Sequence, residues 1–403
     1  MSPAPPNLVV YVSDALRTDH VGCYGARRVA TPTIDELAAT GVRFDRTIAA
    51  APWTCPSTTS MVTGLYPHHH GYLHWDAPLS PGLPTLFSLA AAHGYATGSF
   101  VFDEDFLFKG FPDANVAGTS ETLDGAVEWL RAHRDEPFVL WFHSWATHLP
   151  YDVRHFEHRE WRAAKQEIVN GIQSDNASAL LALREDYARA VERSSEQFLA
   201  GFLGELDSLG LRDRTALAFA ADHGESWGER FADKTEVKGT YHLHGATLYD
   251  EIVEVPLILS VPGRIDPGTV VRDQVSLVDL TPTLLDLAGV PLQGADGASL
   301  LPLVSGEERG DRTVWIVGTD AGRVSQIAIR QPPWKLVMHL ESGEEEAYRL
   351  DTDPRETRSV PGEAPAELRE RLQAELETIE QPEELSDEDR EIVESRLADL
   401  GYL

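Results

Sequence analysis

The chain has 403 residues, 42% of them hydrophobic, which is enough to bury a large core in one domain or one and a half. Its 65 acidic residues against 34 basic ones give a formal net charge of −31, which disfavours non-specific binding to nucleic acid because the phosphates would be repelled. No apolar run reaches membrane-spanning length, and two cysteines, Cys23 and Cys55, are too few for a disulfide framework.

The N-terminus MSPAPPNLVV lacks a basic leader followed by an apolar segment, so a cytoplasmic location with no membrane contact is expected. Only five of the basic residues are Lys. A dispersed acidic excess with scarce Lys predicts adaptation to high salt, where screening removes self-repulsion. A site that handles an anionic ester in such a chain has to build positive charge locally, most simply with a metal.

Along the chain, NLVVYVSD predicts a strand ending in Asp14, and TIDELAATG a helix with a Thr cap and a closing Gly. PTLFSLAAAHG is a second helix, YATGSFVF a short strand, and SETLDGAVEWLRAHRDEP a third helix leading into the apolar strand FVLWFHSWA. The long amphipathic stretch SALLALREDYARAVERSSEQFLAGFLGELDSLG then feeds the strand TALAFAADHG. This βαβα order with buried apolar strands predicts an α/β fold, a doubly wound and mostly parallel sheet flanked by helices. From about Arg312, RTVWIVGTD, SQIAIRQPPWKLVMHL and EEAYRLDTDP predict antiparallel strands, followed by the helix APAELRERLQAELETIEQ and an acidic tail helix. The expected division is a catalytic domain over 1–308 and a small α+β subdomain over 309–403.

Ligands of doubly wound sheets bind at the carboxyl ends of the strands, where Asp14, His148, Asp222 and His223 are predicted to fall. Asp14 alone serves a helix cap as readily as a metal. In AADHGESWGE, adjacent Asp222 and His223 reach one ion only if the chain turns there, which Gly224 permits. In PWTCPSTTS a Thr or Ser oxygen beside a divalent cation can ionise and attack phosphorus or sulfur, although the same residues suit a helix N-terminus. His148, His242 and His244 are candidate proton donors or oxyanion partners. His68 and His69 are expected to be solvated, and His70 to pack.

These stretches, with ATPTIDELAATGVRF, TSMVTGLYPHHHG, HGATLYDEIVEVPLILSVPG, VDLTPTLLDLAGV and WKLVMHLESGEEEAYRLDTDP, resemble the sulfatase family of the alkaline phosphatase superfamily over nearly the full chain. The family signature has Cys or Ser, any residue, Pro, any residue, Arg and a later Thr-Gly. Anchored on Pro56 and Thr63–Gly64, it puts Thr54 at the nucleophile position, Cys55 at the variable one and Thr58 in place of the Arg. Cys55 is then out of register for conversion to formylglycine and is expected to be a small buried side chain. Ala15 stands where a further metal ligand is usual, and the Lys-x-His segment is replaced by GYATGSFVFDEDF.

The resemblance implies a metal-dependent hydrolase with one divalent ion held by Asp14, Thr54, Asp222 and His223. Oxygen-rich ligation favours Ca²⁺, Mg²⁺ or Mn²⁺, with Zn²⁺ possible. The substrate is expected to be a small anionic ester. A phosphoric diester cleaved through a covalent Thr54 intermediate ranks first, with His148 on the equatorial oxygens and His244, or less favourably His242, protonating the leaving group. A sulfatase using unmodified Thr54 is the alternative, and a catalytically silent anion-binding relative ranks third.

Overall fold

The structure is a computed structural model describing residues 5–74, 80, 82–102, 107–108, 111–120, 122–149, 151, 177–227, 243–307, 312–320 and 322–379. Its main sheet is seeded by β1 (Asn7–Ser13), in which all seven residues are buried. A run this apolar has no solvent face and can only sit mid-sheet. β1 pairs in parallel with β5 (Phe138–Ser144) on one side and β6 (Thr215–Ala220) on the other, both also buried throughout.

With β2 (Val42–Ile48), β3 (Ala96–Val101), β4 (Val116–Thr119), β7 (Glu254–Ser260) and β8 (Thr269–Ser276), the order across the sheet is β4-β3-β5-β1-β6-β7-β2-β8. Seven strands share a direction; β7 alone runs antiparallel to both neighbours. The mostly parallel doubly wound reading stands. Helices α1 (Pro32–Thr40), α2 (Thr54–Thr63), α3 (Leu86–Ala92), α4 (Asp124–His133), α5 (Ala177–Arg193), α6 (Ala200–Ser208) and α7 (Leu280–Ala288) accompany the sheet. A π-helical turn, Ser194–Leu199, joins α5 to α6 and buries Ser194, whose Oγ lies 3.5 Å from Ser13 Oγ.

A second sheet of four antiparallel strands, β9 (Val314–Asp320), β10 (Arg323–Gln331), β11 (Trp334–His339) and β12 (Glu345–Arg349), packs with α8 (Ala366–Leu376) around its own cluster, including Ile327, Leu336 and Leu368. The expected domain boundary at 308 and the tail after 379 lie outside the described residues.

A buried charge network links the two sheets. Lys335 of β11, with its side chain fully buried, places Nζ 2.7 Å from Asp250 Oδ1 and 2.7 Å from Glu356 Oε1. Asp250, just before β7, also pairs with Arg330 Nη2 at 2.8 Å. Burial alone would raise the Asp250 carboxyl, but these two cations hold it well below the ordinary carboxylate range. Lys335→Met keeps the stem and removes the charge, leaving two buried carboxylates without the ammonium they share. It is expected to cost about 3–5 kcal/mol, read as a lower denaturant midpoint; an unchanged midpoint would show the network to be energetically idle.

Candidate active site

The site begins with α2, a sequence that is a poor helix former by propensity. Its ten residues, TCPSTTSMVT, are all buried, so each hydroxyl has to be satisfied internally. Thr58, Thr59 and Thr63 do this by donating to the carbonyls of Thr54, Cys55 and Thr59, at 2.6, 2.8 and 2.7 Å. Gly64 closes the helix at φ 74°, a left-handed position that explains the Gly of the Thr-Gly pair. The Trp53 side chain makes no capping hydrogen bond at the N-terminus, where the positive end of α2 lies together with Thr54, its first residue. Ser57 Oγ donates to Asp222 O at 2.6 Å, pinning this end of the helix to the segment after β6.

Three strand ends converge on Thr54. Asp14 follows β1, His143 lies near the end of β5, and Asp222 and His223 follow β6. Thr54 Oγ1 is 3.1 Å from His223 Nε2 and 3.5 Å from Asp14 Oδ2. His223 Nε2 lies 3.6 Å from Asp14 Oδ1 and 3.5 Å from Asp222 Oδ2. His143 Nε2 donates to Asp14 Oδ2 at 3.0 Å and sits 3.7 Å from Asp222 Oδ2. Asp14, Asp222 and His223 are all 0% exposed.

His223 Nδ1 faces the Gly224 carbonyl at 2.8 Å. A carbonyl only accepts, so Nδ1 carries the proton and Nε2 turns its lone pair toward Thr54 and the carboxylates. Gly224 is needed for a different reason than the sequence suggests. It has no left-handed φ; instead, a Cβ there would come 2.4 Å from the Glu251 carbonyl oxygen. The close approach is the Gly224 N–H donating to Ile252 O at 2.6 Å. Ala15, by contrast, does adopt a left-handed φ of 56°, and its N–H donates to Asp222 Oδ1 at 3.2 Å. Its role is thus backbone support for the Asp222 carboxylate.

The electrostatics of the pair are unbalanced. Burial and the neighbouring Asp14 charge raise the Asp222 carboxyl above its ordinary range. Burial pushes Asp14 the same way, but His148 and His143 outweigh it and hold Asp14 below that range. Burial disfavours the charged His223 ring, yet Asp222 and Asp14 raise it overall. Asp14 Oδ1 and Asp222 Oδ2 are buried with no hydrogen-bond partner among the described residues.

His148 and His244 form a second layer. The His148 ring stacks on Trp145 at 3.9 Å and lies 5.1 Å from the His244 ring, which is 4.4 Å from that of His223. Glu225, the residue directly after DHG, accepts from His244 Nδ1 at 2.9 Å and from Tyr151 Oη at 2.7 Å. Burial alone would raise Glu225, but His244 and Tyr151 hold it below the ordinary range. His242 lies outside the described residues.

His143 is a site residue that the sequence reading misses, though an ionisable residue inside the apolar run FVLWFHS is itself a signal. Cys55 is buried, as a small packing side chain would be. His70 is buried too, its Nε2 3.1 Å from Ser60 Oγ of α2. The solvated reading needs correction for His68, whose side chain is 0% exposed with Glu375 of α8 laid against it, whereas His69 is exposed as expected.

Residues 6–290 match the sulfatase family model. The chain belongs to the sulfatase family. As a family member it is a hydrolase acting on ester bonds. Residues 242–382 also match the model of the N-sulphoglucosamine sulphohydrolase C-terminal region. The low-salt glycan biosynthesis sulfotransferase of Haloferax volcanii is 30% identical over 81% of this chain and 72% of that relative. Among solved structures, a 2-O GAG sulfatase superposes with a TM-score of 0.73 at 20% identity, covering 96% of both chains. The phosphonate monoester hydrolase of Agrobacterium radiobacter gives 0.69 at 21% identity, covering 93% of this chain and 95% of that one. Among the described residues no helix is long and apolar enough to cross a membrane.

Proposed function

We propose that this sulfatase-family hydrolase cleaves singly charged esters through Thr54, assisted by one divalent cation. The observation that supports the reading is a pair of buried oxygens without a hydrogen-bond partner among the described residues, Asp14 Oδ1 and Asp222 Oδ2. They face His223 Nε2 at 3.6 and 3.5 Å, itself 3.1 Å from Thr54 Oγ1. Two carboxylates sealed from water call for a cation, and the donor set fits one. Asp14, Asp222, His223 and Thr54 Oγ1 would hold it, and their mainly oxygen character favours Ca²⁺, Mg²⁺ or Mn²⁺. Bound there, the ion supplies charge neutralisation and lowers the pKa of the Thr54 hydroxyl.

The residues then divide the work. His143 orients Asp14. Thr54, once ionised, attacks sulfur or phosphorus with the ester oxygens resting at the α2 N-terminus and His148. His244, oriented by Glu225, protonates the departing alcohol, and water hydrolyses the Thr54 ester to restore the hydroxyl.

Charge selects the substrate class. A divalent cation is cancelled by Asp14 and Asp222, which leaves histidines and a helix end for the substrate, too little for a dianionic phosphate monoester. A sulfate monoester or a phosphate diester carries one charge fewer. The missing Arg and Lys rank diesters first, whereas the names of the glycan sulfotransferase and the GAG sulfatase support a sulfate ester. Rates on an aryl sulfate, a bis-aryl phosphate and an aryl phosphate, compared at equal high salt, test this. Both singly charged esters are expected to exceed the dianion. A preference for the aryl phosphate would overturn the charge argument, and no turnover of any ester together with no bound ion would return the silent, anion-binding reading.

A further inference from the structure

After the C-terminus of α2, the turn Pro67–His70 presents two adjacent imidazoles to α8. His68 Nε2 lies 2.8 Å from Glu375 Oε1, and His69 Nε2 lies 3.6 Å from the same oxygen. The donor atoms of His68, His69 and Glu375 all fall within 4.8 Å of one another. In a tetrahedral zinc site with bonds of about 2.0–2.2 Å, neighbouring donors are roughly 3.4 Å apart, so the observed spacings bracket the required one.

The hydrogen bonding around His69 argues for a cation. Its Nδ1 faces Asp296 Oδ2 at 2.8 Å, and a carboxylate oxygen that also receives the Tyr66 N–H at 2.7 Å acts as an acceptor. Nδ1 therefore carries the proton, and in the neutral ring Nε2 turns a lone pair toward the Glu375 oxygen. The Asp296 hydrogen bond and the Asp296 and Glu375 charges raise the His69 imidazole above its ordinary range, so the position between Nε2 and the Glu375 oxygen favours positive charge, held by a proton until a metal displaces it. The carboxylate–histidine pair behind it is the arrangement that orients imidazole ligands of metals. His69, 36% exposed, leaves an opening for water as a fourth ligand.

We infer that His68, His69 and Glu375 form a second cation site, for a transition-metal ion of the Zn²⁺ class, that fastens α8 to the turn beside α2. Two imidazoles and one carboxylate suit Zn²⁺ or Co²⁺ over Ca²⁺ or Mg²⁺, so the two sites differ in kind. The role is a clamp. His70, the next residue, accepts the Tyr72 N–H at Nδ1 and contacts Ser60 of α2, so the ion ties the C-terminal subdomain to the flank of the Thr54 helix.

The test uses chelator-stripped full-length protein carrying Asp14→Asn and Asp222→Asn, which disables the other cluster. Co²⁺ is added, followed by Zn²⁺. The expected result is one equivalent of Co²⁺ with tetrahedral ligand-field absorption, displaced by Zn²⁺, and a melting temperature raised by Zn²⁺. Adding Glu375→Gln or His69→Gln should weaken binding at least tenfold and abolish the rise. Absence of Co²⁺ absorption and of zinc stabilisation in the folded parent would overturn the inference, whatever the added variants do. Undiminished binding in folded Glu375→Gln would overturn it equally.

Discussion

Thr54→Ala is expected to lower turnover by on the order of 10⁴-fold or more while the protein stays folded. The substitution removes one hydroxyl, the group 3.1 Å from His223 Nε2 and 3.5 Å from Asp14 Oδ2. It leaves α2 its backbone, and Ala is a better helix former than Thr. The Thr58 hydroxyl bonds to the carbonyl of residue 54, which the change preserves. Thr54→Ser keeps an oxygen at the same place and should retain measurable turnover, whereas Cys55→Ala should stay within a few-fold of the parent. Steady-state kinetics alongside circular dichroism reads all three. Full activity in Thr54→Ala would remove this residue from the mechanism, and a loss in Cys55→Ala alone would move the chemistry to the thiol.

The second large effect concerns Asp222. Chelation should lower the melting temperature of the parent, because an ion present at a hundredfold excess over its dissociation constant stabilises by about 2.7 kcal/mol. Asp222→Asn should cost more than roughly 100-fold in turnover and, in protein whose His68–His69–Glu375 cluster is already disabled by Glu375→Gln, make melting nearly indifferent to chelator. The sign reverses without the ion. Ion-free parent holds Asp14 and Asp222 together in a buried site, and the second carboxyl is driven upward by burial and by the first. The neutral amide of Asp222→Asn relieves that repulsion, and its Oδ1 can still accept from the Ala15 and His223 N–H groups, which lie at 3.2 and 3.0 Å from Asp222 Oδ1. Ion-free Asp222→Asn should therefore melt above ion-free parent. The opposite order would mean that the pair is held by something other than a cation.

The central strands were legible because they are uniformly apolar: β1, β5 and β6 have no polar face to confuse a periodicity. β2 and β4 were not. VRFDRTI alternates with charge and VAGT is a short edge strand of four residues, and each becomes a strand only because a neighbour supplies its hydrogen bonds. β8 was hidden likewise, its TVVRDQVS half-exposed at the sheet margin. At the site, Asp14, Thr54, Asp222 and His223 could be read from strand ends and from the register of a family signature. His143 could not be read that way, since its partner Asp14 is fixed by the β1–β5 register, Val12 opposite His143, rather than by local spacing. The burial of His68 depended on α8 arriving over it from the far end of the chain, with Glu375 separated from His68 by 307 positions.

The order of strands across the main sheet carries a consequence for how this enzyme is lost. Positions 14, 143 and 222 sit on or just past three adjacent interior ribbons, and all three come together only when both pairings, β1–β5 and β1–β6, are zipped in register. No half of the chain can keep a residual fraction of activity. Catalysis should vanish in step with the collapse of the sheet's interior, so that a rate assay taken along a denaturant series traces global unfolding.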